Sequence, residues 1–155
     1  MTIKDKLARY EPKPLGEKRR YAVLLPLIYD VKTDKYQILY QVRSEHISQP
    51  GEVSFPGGRV ENGETFQEAA IRETCEELNL VPDQIDIWGE LDYLIHQGRT
   101  VHCFVGKLNI DNWEDISPNE EVERLFTVCV DTLLTEDPIY YKITSTLSDA
   151  KGFPF

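Results

Sequence analysis

Apolar residues fall into runs along the chain, and the first two runs predict strands. Tyr21–Tyr29 (YAVLLPLIY) is apolar almost throughout, which is typical of a buried strand, and Pro26 within it indicates an edge position or a bulge. Tyr36–Val42 follows after the polar turn YDVKTDK, so we expect the two strands to pair as a hairpin. A short extended piece is expected at Glu52–Phe55, within a segment that is otherwise loop.

The second half of the chain predicts further strands. Ile85–Ile95 and Thr100–Leu108 are strand-like and are joined by the turn HQGR. Leu125–Val130 predicts another strand after the polar loop SPNEEVER. Pro138–Thr146 is expected to be extended. No internal repeat or low-complexity segment interrupts this pattern.

Helical periodicity is strongest after Thr65. The sequence TFQE forms a capping box there, with Thr65 as the N-cap and Glu68 at the third helical position, and Pro82 stops any continuation. The apolar residues at helical spacing are Phe66, Ala70, Ile71, Cys75 and Leu78. Of these, Ile71, Cys75 and Leu78 are expected to face the core. Shorter helices are expected over residues 2–9 and within VDTLLTED. Several strands with one strong helix between them predict an α+β fold.

Length and composition fit one globular domain over residues 1–155. Of the 155 residues, 41% are apolar and 28% are charged, which is enough for a core. No apolar run approaches the roughly eighteen residues of a membrane span, and the N-terminal segment lacks the apolar part of a secretory signal. The cysteines, Cys75, Cys103 and Cys129, are odd in number and widely spaced. They favour small buried side chains in a reducing cytoplasm over a disulfide framework or a zinc site.

The formal net charge of −10 bears on the kind of ligand. A surface that binds nucleic acid through its phosphates is expected to be basic, so nucleic acid is not an expected partner. An acidic protein that acts on a phosphate ester needs cations to bring the phosphate in. If the protein acts on a phosphate ester, we therefore expect some of its carboxylates to hold a divalent ion.

Glu73, Glu76 and Glu77 lie on one side of the predicted helix, because residues three and four apart share a helix face. Like charges at this spacing repel, and hard divalent cations take oxygen ligands, so the cluster is a candidate metal site. The sequence PGG before the helix lets the backbone approach closely and offers a carbonyl ligand. Arg72 has Glu68 one turn before it and is expected to hold carboxylates in place. The alternative is an acidic helix face exposed to solvent.

A longer pattern contains these glutamates and resembles the Nudix box. It specifies nine positions at fixed spacing, and seven of them match. The matching residues are Gly58, Glu64, Arg72, Glu73, Glu76, Glu77 and Leu80. The departures are Thr74, where a bulky aliphatic residue is usual, and Asn79, where glycine is usual. Asparagine is the next best residue after glycine for a left-handed helix C-cap, so the second change is mild.

The resemblance implies the Nudix fold, an α/β/α sandwich with a mixed β-sheet and a catalytic loop–helix–loop. It also implies hydrolysis of a nucleoside diphosphate linked to another moiety, with Mg²⁺ or Mn²⁺ as the cofactor. The implied metal ligands are Glu73, Glu76, Glu77 and the carbonyl of Gly57. Glu64 is implied as a supporting acidic residue that, like Gly58, belongs to the substrate-binding site, while Arg72 orients the glutamates.

A second resemblance lies just upstream, in VRSEHISQPGEVSFPGG. This segment is similar to the signature before the box in the coenzyme A diphosphatase branch of the family. The matching residues are Arg43, Ser44, Pro50, Gly51, Val53 and Phe55–Gly58. Gln41 replaces a threonine, Gln49 a histidine and Glu52 a glutamine, and the last two changes leave other substrates open. Arg43 is expected to contact substrate phosphates, with a salt bridge at the strand end as the alternative.

The residue that accepts the proton is left open between two glutamates. SPNEEVERLFTV resembles a later loop of the family that often supplies another glutamate; Glu121 is the first choice there and Glu120 the second. Either Glu73 or Glu121 is implied to take the proton of the attacking water. The expected catalytic residues are therefore Glu73, Arg72, Glu77 and Glu121. The histidines are not spaced as a metal set.

Coenzyme A or a derivative is the expected substrate, cleaved to 3′,5′-ADP and 4′-phosphopantetheine. ADP-ribose, NADH or another nucleotide is the first alternative, and a domain that senses a nucleotide without cleaving it is the second. Homodimers are frequent in the family, although no residue locates an interface. Relatives in the coenzyme A branch usually run on to a further helix beyond KGFPF. The resemblance therefore implies that this helix is missing and that part of the sheet's cover is absent or comes from another subunit.

Overall fold

The computed structural model describes residues 2–10 and 15–142. Within these residues the helices are α1 (Ile3–Ala8), α2 (Phe66–Leu78) and α3 (Val130–Thr135). The strands are β1 (Arg19–Asp30), β2 (Lys35–Arg43), β3 (Val53–Ser54), β4 (Gly57–Arg59), β5 (Ile85–Glu90), β6 (Leu94–His96), β7 (Arg99–Leu108) and β8 (Val122–Cys129). Short 3₁₀ helices occupy Pro82–Gln84 and Trp113–Asp115.

The strands join one mixed sheet. Hydrogen-bonded neighbours follow the order β3-β2-β1-β7-β5, while β4 pairs with β1, β6 with β7 and β8 with β2. β1 and β7 run parallel, and the other pairs are antiparallel. A parallel pair needs a long crossover connection, and here that connection contains α2. The expected α+β arrangement with a mixed sheet is confirmed.

Beyond their hairpin, β1 and β2 diverge, and the segment that leads to α2 lies in the fork between them. The two strands form the expected hairpin only where Leu27–Asp30 faces Lys35–Ile38. Further from the turn, β3 pairs with the end of β2 and β4 pairs with the beginning of β1. The segment Val53–Arg59 therefore fills the space between the diverging strands. α2 follows it and packs against β1 and β4, so the helix lies beside the fork.

Pro26 lies in a central strand, so the expected edge position is wrong. β1 has β7 on one side and β4 followed by β2 on the other. Backbone N–H groups of alternate residues point to the same side of a strand, and the Leu24 N–H donates to the Pro56 carbonyl on the β4 side at 2.9 Å. The Pro26 nitrogen therefore faces the gap between the β4 ladder, which reaches Val23, and the β2 ladder, which begins at Leu27. No N–H is required at that position.

Helix α2 is capped at both ends as the sequence predicts. The Thr65 hydroxyl accepts a hydrogen bond from the Glu68 N–H, and the Glu68 carboxylate accepts one from the Thr65 N–H. Asn79 follows the helix in the left-handed conformation, with φ 51° and ψ 44°. The cap geometry explains why asparagine serves in place of the glycine that is usual in the box.

A stripe of small and aliphatic side chains on α2 packs against one face of the sheet. Its buried members are Ala69, Ala70, Thr74 and Leu78. Ile71 and Cys75, which were expected to face the core, are only partly buried against it. Thr74 is buried without an unpaired hydroxyl, because its Oγ1 donates to the Ala70 carbonyl at 2.7 Å. The core consists of Ala22, Leu24, Ile28, Leu39, Val60, Ala69, Ala70, Leu78, Ile85, Phe104 and Leu108.

The later strands differ from their expected bounds. Ile85–Ile95 is divided into β5 and β6, since the β5–β7 ladder shifts register and ends at Glu90. HQGR forms the β6–β7 turn, with both central residues at positive φ, as in the favoured two-residue hairpin turns. β8 begins at Val122, earlier than the expected Leu125. Pro138–Lys142 form no helix or strand, and residues 143–146 and the terminal KGFPF lie outside the described residues.

The described part of the chain has no helix that is long and apolar enough to cross a membrane. Cys75, Cys103 and Cys129 are free thiols and are partly rather than fully buried. Burial raises the pKa of the Cys75 and Cys103 thiols. Both are therefore expected to stay protonated at neutral pH.

Candidate active site

The fork opens into a cleft of about 650 Å³ that contains both acidic and basic side chains. The carboxylates that line it are Glu73, Glu77 and Glu121, and the arginines are Arg19, Arg43, Arg59 and Arg99. Gly57 and Gly58 of β4 form part of the wall, as do Ser48 and Gln49 from the loop after β2. Of the residues expected from sequence, the cleft thus brings together Glu73, Glu77, Glu121, Gly57, Gly58 and Arg43.

Glu77 is the most deeply buried carboxylate of the cleft, with a relative exposure of 3%. Its Oε2 accepts a hydrogen bond from the Gln41 side-chain amide at 2.7 Å and one from the Gly57 N–H at 3.3 Å. Burial raises the pKa of Glu77 to about 7, the two hydrogen bonds oppose that rise, and the charges of Glu73 and Glu121 add to it. A carboxylate in this position favours either a proton or a cation beside it.

Glu73 lies one turn before Glu77 and against the β4 backbone. A Cβ at position 58 would come within 2.4 Å of the Glu73 Cδ and Oε1, so only glycine leaves room for this carboxylate. Burial raises the pKa of Glu73, and contact with the Arg72 guanidinium opposes the rise. The PGG sequence therefore permits a close approach between helix and strand, as predicted.

Arg72 connects the carboxylates around the cleft. Its Nε and Nη2 donate to the two oxygens of Glu64 at 2.8 and 3.1 Å, and Nη1 donates to Glu73 at 2.9 Å. Nη2 also donates to the Arg59 carbonyl at 3.0 Å. The expectation that Glu68 is a carboxylate partner of Arg72 is wrong, because the Glu68 carboxylate accepts hydrogen bonds from Thr65 at the helix cap instead. The hydrogen bonds from Arg72 lower the pKa of Glu64, which stays ionised.

Glu76 does not line the cleft. Its side chain is 55% exposed and reaches Arg72 Nη1 at 3.4 Å. It borders a neighbouring groove, together with Glu64 and Arg72. The groove that contains Glu76, Glu64 and Arg72 lies next to the cleft, and the hydrogen bond from Arg72 to Glu73 connects the two.

Glu121 reaches the cleft because its loop is fastened to the end of α2. The Asn119 N–H donates to the Glu77 carbonyl at 2.8 Å, and the Asn79 side-chain amide donates to the Ser117 carbonyl at 2.6 Å. The Glu121 N–H donates to the Asn119 side chain at 2.9 Å, which sets the turn before β8. The neighbouring Glu120 is not among the lining residues.

Arg43 stands at the end of β2, where the loop that carries the upstream signature begins. Its Nε donates to the Ser48 carbonyl at 2.8 Å and Nη2 donates to the Ser48 hydroxyl at 3.3 Å. Within the described residues it makes no salt bridge, which was the alternative reading of this arginine. Arg43 also lines the cleft.

The donor chemistry of the cleft fits a hard divalent cation. Glu73, Glu77 and Glu121 offer carboxylate oxygens, and the charges of Glu73 and Glu121 help to raise the pKa of Glu77, a repulsion that a cation would relieve. The buried Gln41 Oε1 has no hydrogen-bond partner and adds an oxygen beside Glu77. Among the described residues, no group of three or more acidic, histidine or cysteine side chains is arranged so that it could hold a metal ion without rearrangement.

Sequence reasoning missed several residues of the cleft. Gln41 and Gln49 were noticed only as departures from a signature, although Gln41 holds Glu77 and Gln49 lines the cleft. Arg19, Arg59 and Arg99 are far apart in sequence and carry no motif. Their proximity follows from the β1–β4 and β1–β7 pairings. His102, in contrast, contacts Glu90 and stacks on aromatic rings, in keeping with a structural role.

A family model described as the NUDIX domain matches residues 18–147, which is most of the chain. The chain therefore belongs to the Nudix family, as the box predicts.

Two curated relatives illustrate the similarity. Nudix hydrolase 3 of Caenorhabditis elegans is 37% identical over 118 residues, which are 73% of this chain and 48% of the relative. Peroxisomal coenzyme A diphosphatase NUDT7 of Mus musculus is 32% identical over 150 residues, 90% of this chain and 62% of the relative. The chain thus spans about half to three fifths of the length of these relatives.

A solved structure agrees on the fold. The crystal structure of a C. elegans Ap4A hydrolase binary complex matches with a TM-score of 0.58 and 26% identity, over 69% of this chain and 77% of that chain. The Nudix fold expected from the box is therefore confirmed.

Proposed function

We propose that this chain is one catalytic domain, a metal-dependent diphosphatase that hydrolyses the diphosphate bond of a nucleoside diphosphate derivative. The observation that carries the proposal is the cleft at the fork, where Glu73, Glu77 and Glu121 converge beside Gly57 and Gly58. Family membership supports it, since the similar relatives are named as a hydrolase and a diphosphatase.

Glu73, Glu77 and the Gly57 carbonyl would hold Mg²⁺ or Mn²⁺, and Glu76 would join them once its side chain turns away from Arg72. The bound ion would supply charge neutralisation at the diphosphate oxygens and a lower pKa for a bound water. Glu73 or Glu121 accepts the proton of the attacking water at a carboxylate oxygen, and the attack on phosphorus is in line. Arg72 keeps the Glu73 carboxylate in place, and Glu64 in turn keeps the guanidinium in place. These residues position the reacting groups before the substrate arrives.

Coenzyme A or a derivative is the substrate we propose, with 3′,5′-ADP and 4′-phosphopantetheine as products. The ungapped match from Arg43 to Gly58 and the similarity to a relative named as a coenzyme A diphosphatase support it. The first alternative is ADP-ribose, NADH or another nucleotide. Gln49 favours this alternative, because it replaces the histidine of the coenzyme A signature and lines the cleft. The compartment we propose is the cytoplasm, with the protein acting alone or as a homodimer.

A substrate panel tests the proposal. The purified protein is incubated with Mg²⁺ and then with Mn²⁺, against coenzyme A, ADP-ribose, NADH, diadenosine polyphosphates and nucleoside triphosphates, and the products are separated by chromatography. We expect 3′,5′-ADP from coenzyme A and little else cleaved. Preference for another nucleotide would keep the diphosphatase chemistry and reject the coenzyme A assignment. A folded protein that binds metal and cleaves nothing would favour nucleotide sensing.

Substitutions at the helix test the assigned residues. We expect Glu76→Gln and Glu77→Gln to keep the fold and to remove most activity, because each removes a proposed carboxylate ligand. Glu123→Gln is the matched control, since Glu123 is exposed on β8 and does not line the cleft. A folded Glu77→Gln protein with the turnover of the control would reject the metal-helix interpretation.

A further inference from the structure

Three arginines of the cleft project from one face of the sheet. Arg19 of β1 and Arg99 of β7 are direct partners in the parallel ladder, and Arg59 of β4 is the partner of Tyr21 in β1. Residues two apart on a strand share a face, as do direct partners on neighbouring strands. Arg19, Arg59 and Arg99 therefore lie on the same face, and all three line the cleft that contains the carboxylates.

Two of these arginines place like charges side by side on the sheet. Like charges on directly opposite strand residues destabilise a sheet, and Arg19 faces Arg99. The chain has 27 acidic and 17 basic residues, so acidic partners are plentiful. Nevertheless, within the described residues no carboxylate oxygen lies within 4.0 Å of a nitrogen of Arg19, Arg59 or Arg99. The guanidinium groups are left available for a ligand.

The arginine positions are displaced along β1 from the carboxylates. Gly57, whose N–H contacts Glu77, pairs with Val23, whereas Arg99 pairs with Arg19, four residues earlier on β1. At the usual rise of about 3.3 Å per residue, the backbone of Arg19 and Arg99 lies roughly 13 Å from the Gly57 level, and that of Arg59, opposite Tyr21, lies roughly 7 Å from it. The backbone displacement of Arg19 and Arg99 exceeds the separation of the two phosphates in one diphosphate. It suits two anionic groups that are separated by several bonds in one ligand.

We propose that Arg19, Arg59 and Arg99 form a subsite for a substrate phosphate other than the diphosphate that is cleaved. The inference rests on the proposed diphosphatase function, and it adds a specificity determinant to that site. The planar guanidinium of arginine donates paired hydrogen bonds that match the oxygens of a phosphate, so three arginines on one face suit a group with two negative charges. Two sources share this chemistry: a phosphomonoester on the nucleoside, or a longer polyphosphate chain.

Matched substrate pairs separate the two sources. Coenzyme A and dephospho-coenzyme A differ only in the phosphomonoester, and diadenosine tetraphosphate and diadenosine diphosphate differ in chain length. We measure kcat/KM for each pair with wild type, Arg19→Gln, Arg99→Gln and the double variant. Arg124→Gln is the control, because Arg124 is exposed on β8 and does not line the cleft. Thermal melts check that each variant folds.

In each pair that the subsite recognises, we expect wild type to have a kcat/KM about tenfold or more higher for the substrate with the additional phosphate, mainly through a lower KM. Charge-assisted hydrogen bonds contribute at least a factor of about ten to binding. The double variant should reduce the preference ratio to near one, while Arg124→Gln keeps it. A preference within the coenzyme A pair supports the phosphomonoester source, and one within the diadenosine pair supports the polyphosphate source. Equal rates within both pairs for wild type, or a ratio unchanged in the folded double variant, would overturn the proposal.

A binding measurement keeps this test separate from turnover. Calorimetry compares adenosine 3′,5′-bisphosphate with adenosine 5′-monophosphate, and inorganic tripolyphosphate with inorganic diphosphate, in the absence of divalent metal. We expect wild type to bind the member with the additional phosphate about tenfold more tightly in at least one pair, and the double variant to lose that difference. No turnover together with this binding difference would reject the diphosphatase function and retain the subsite. Turnover without any difference in binding or in rate would reject the subsite alone.

Discussion

Neutralising Glu77 is expected to stabilise the metal-free protein. The carboxylate is buried between Gln41 and Gly57, and burial raises its pKa from the ordinary 4.5 to about 7. At about 1.36 kcal/mol per pH unit, this rise corresponds to a cost of about 3 kcal/mol when the group is ionised. Glutamine has the same shape, keeps an acceptor oxygen for both donors and carries no charge. Glu77→Gln therefore removes the cost.

The pH dependence follows from the direction of the pKa change. Below pH 4.5 the Glu77 carboxyl is protonated in the folded and unfolded chains, so the substitution has little effect. Between pH 4.5 and 7 the unfolded chain loses its proton first, and the wild type loses stability relative to the variant. Above pH 7 the difference is complete, at up to about 3 kcal/mol in favour of Glu77→Gln.

Urea unfolding in EDTA at pH 5, 6, 7 and 8 measures this difference, with Glu123→Gln as the exposed control. Addition of Mg²⁺ should reverse the order, because the wild type gains stability from binding and the variant gains little. The reasoning is refuted if Glu77→Gln is no more stable than wild type at pH 8 in EDTA, or if the difference does not grow with pH.

Two further predictions concern the adjacent glycines Gly57 and Gly58, and Thr74 of the box. Gly58→Ala should keep the free energy of unfolding within about 1 kcal/mol of wild type but weaken the Mg²⁺-dependent rise in melting temperature, because the new Cβ meets only the movable Glu73 carboxylate. Gly57→Ala should lower the free energy of unfolding by about 3 kcal/mol or more, because its Cβ would lie 2.3 Å from the Ala22 carbonyl oxygen. Equal behaviour of the two alanine variants would contradict this contrast. Thr74→Val should change the free energy of unfolding in urea by less than about 1 kcal/mol, because the Thr74 hydroxyl contacts only a helix carbonyl. A loss above about 2 kcal/mol would show that the hydroxyl has another role.

Local signals in the sequence were sufficient for the helices and for the hairpin turns. The capping box at Thr65, the asparagine cap at Asn79 and the HQGR turn depend on neighbouring residues, and each forms as predicted. The Nudix box indicated Glu73 and Glu77, because its spacing records which residues share one helix face.

Features that depend on strand pairing could not be predicted in the same way. Pro26 suggested an edge, yet β1 is central, since the proline occupies a gap between two ladders. The partner of Arg72 is Glu64 from the preceding loop rather than Glu68 on the same helix, because Glu68 is engaged by the cap. Arg19 and Arg99 meet only because β1 and β7 run parallel, which no local pattern indicates.

The position of a bound metal tests the central claim most directly. A crystal grown with Mn²⁺ and measured near the manganese absorption edge gives the position of the ion independently of the coordinates of the protein. We predict an anomalous peak within the fork, with Glu73, Glu76, Glu77 and the Gly57 carbonyl as ligands. A peak only in the neighbouring groove beside Glu64 and Glu76, or none in the cleft at saturating Mn²⁺, would contradict the assignment of the cleft as the catalytic metal site.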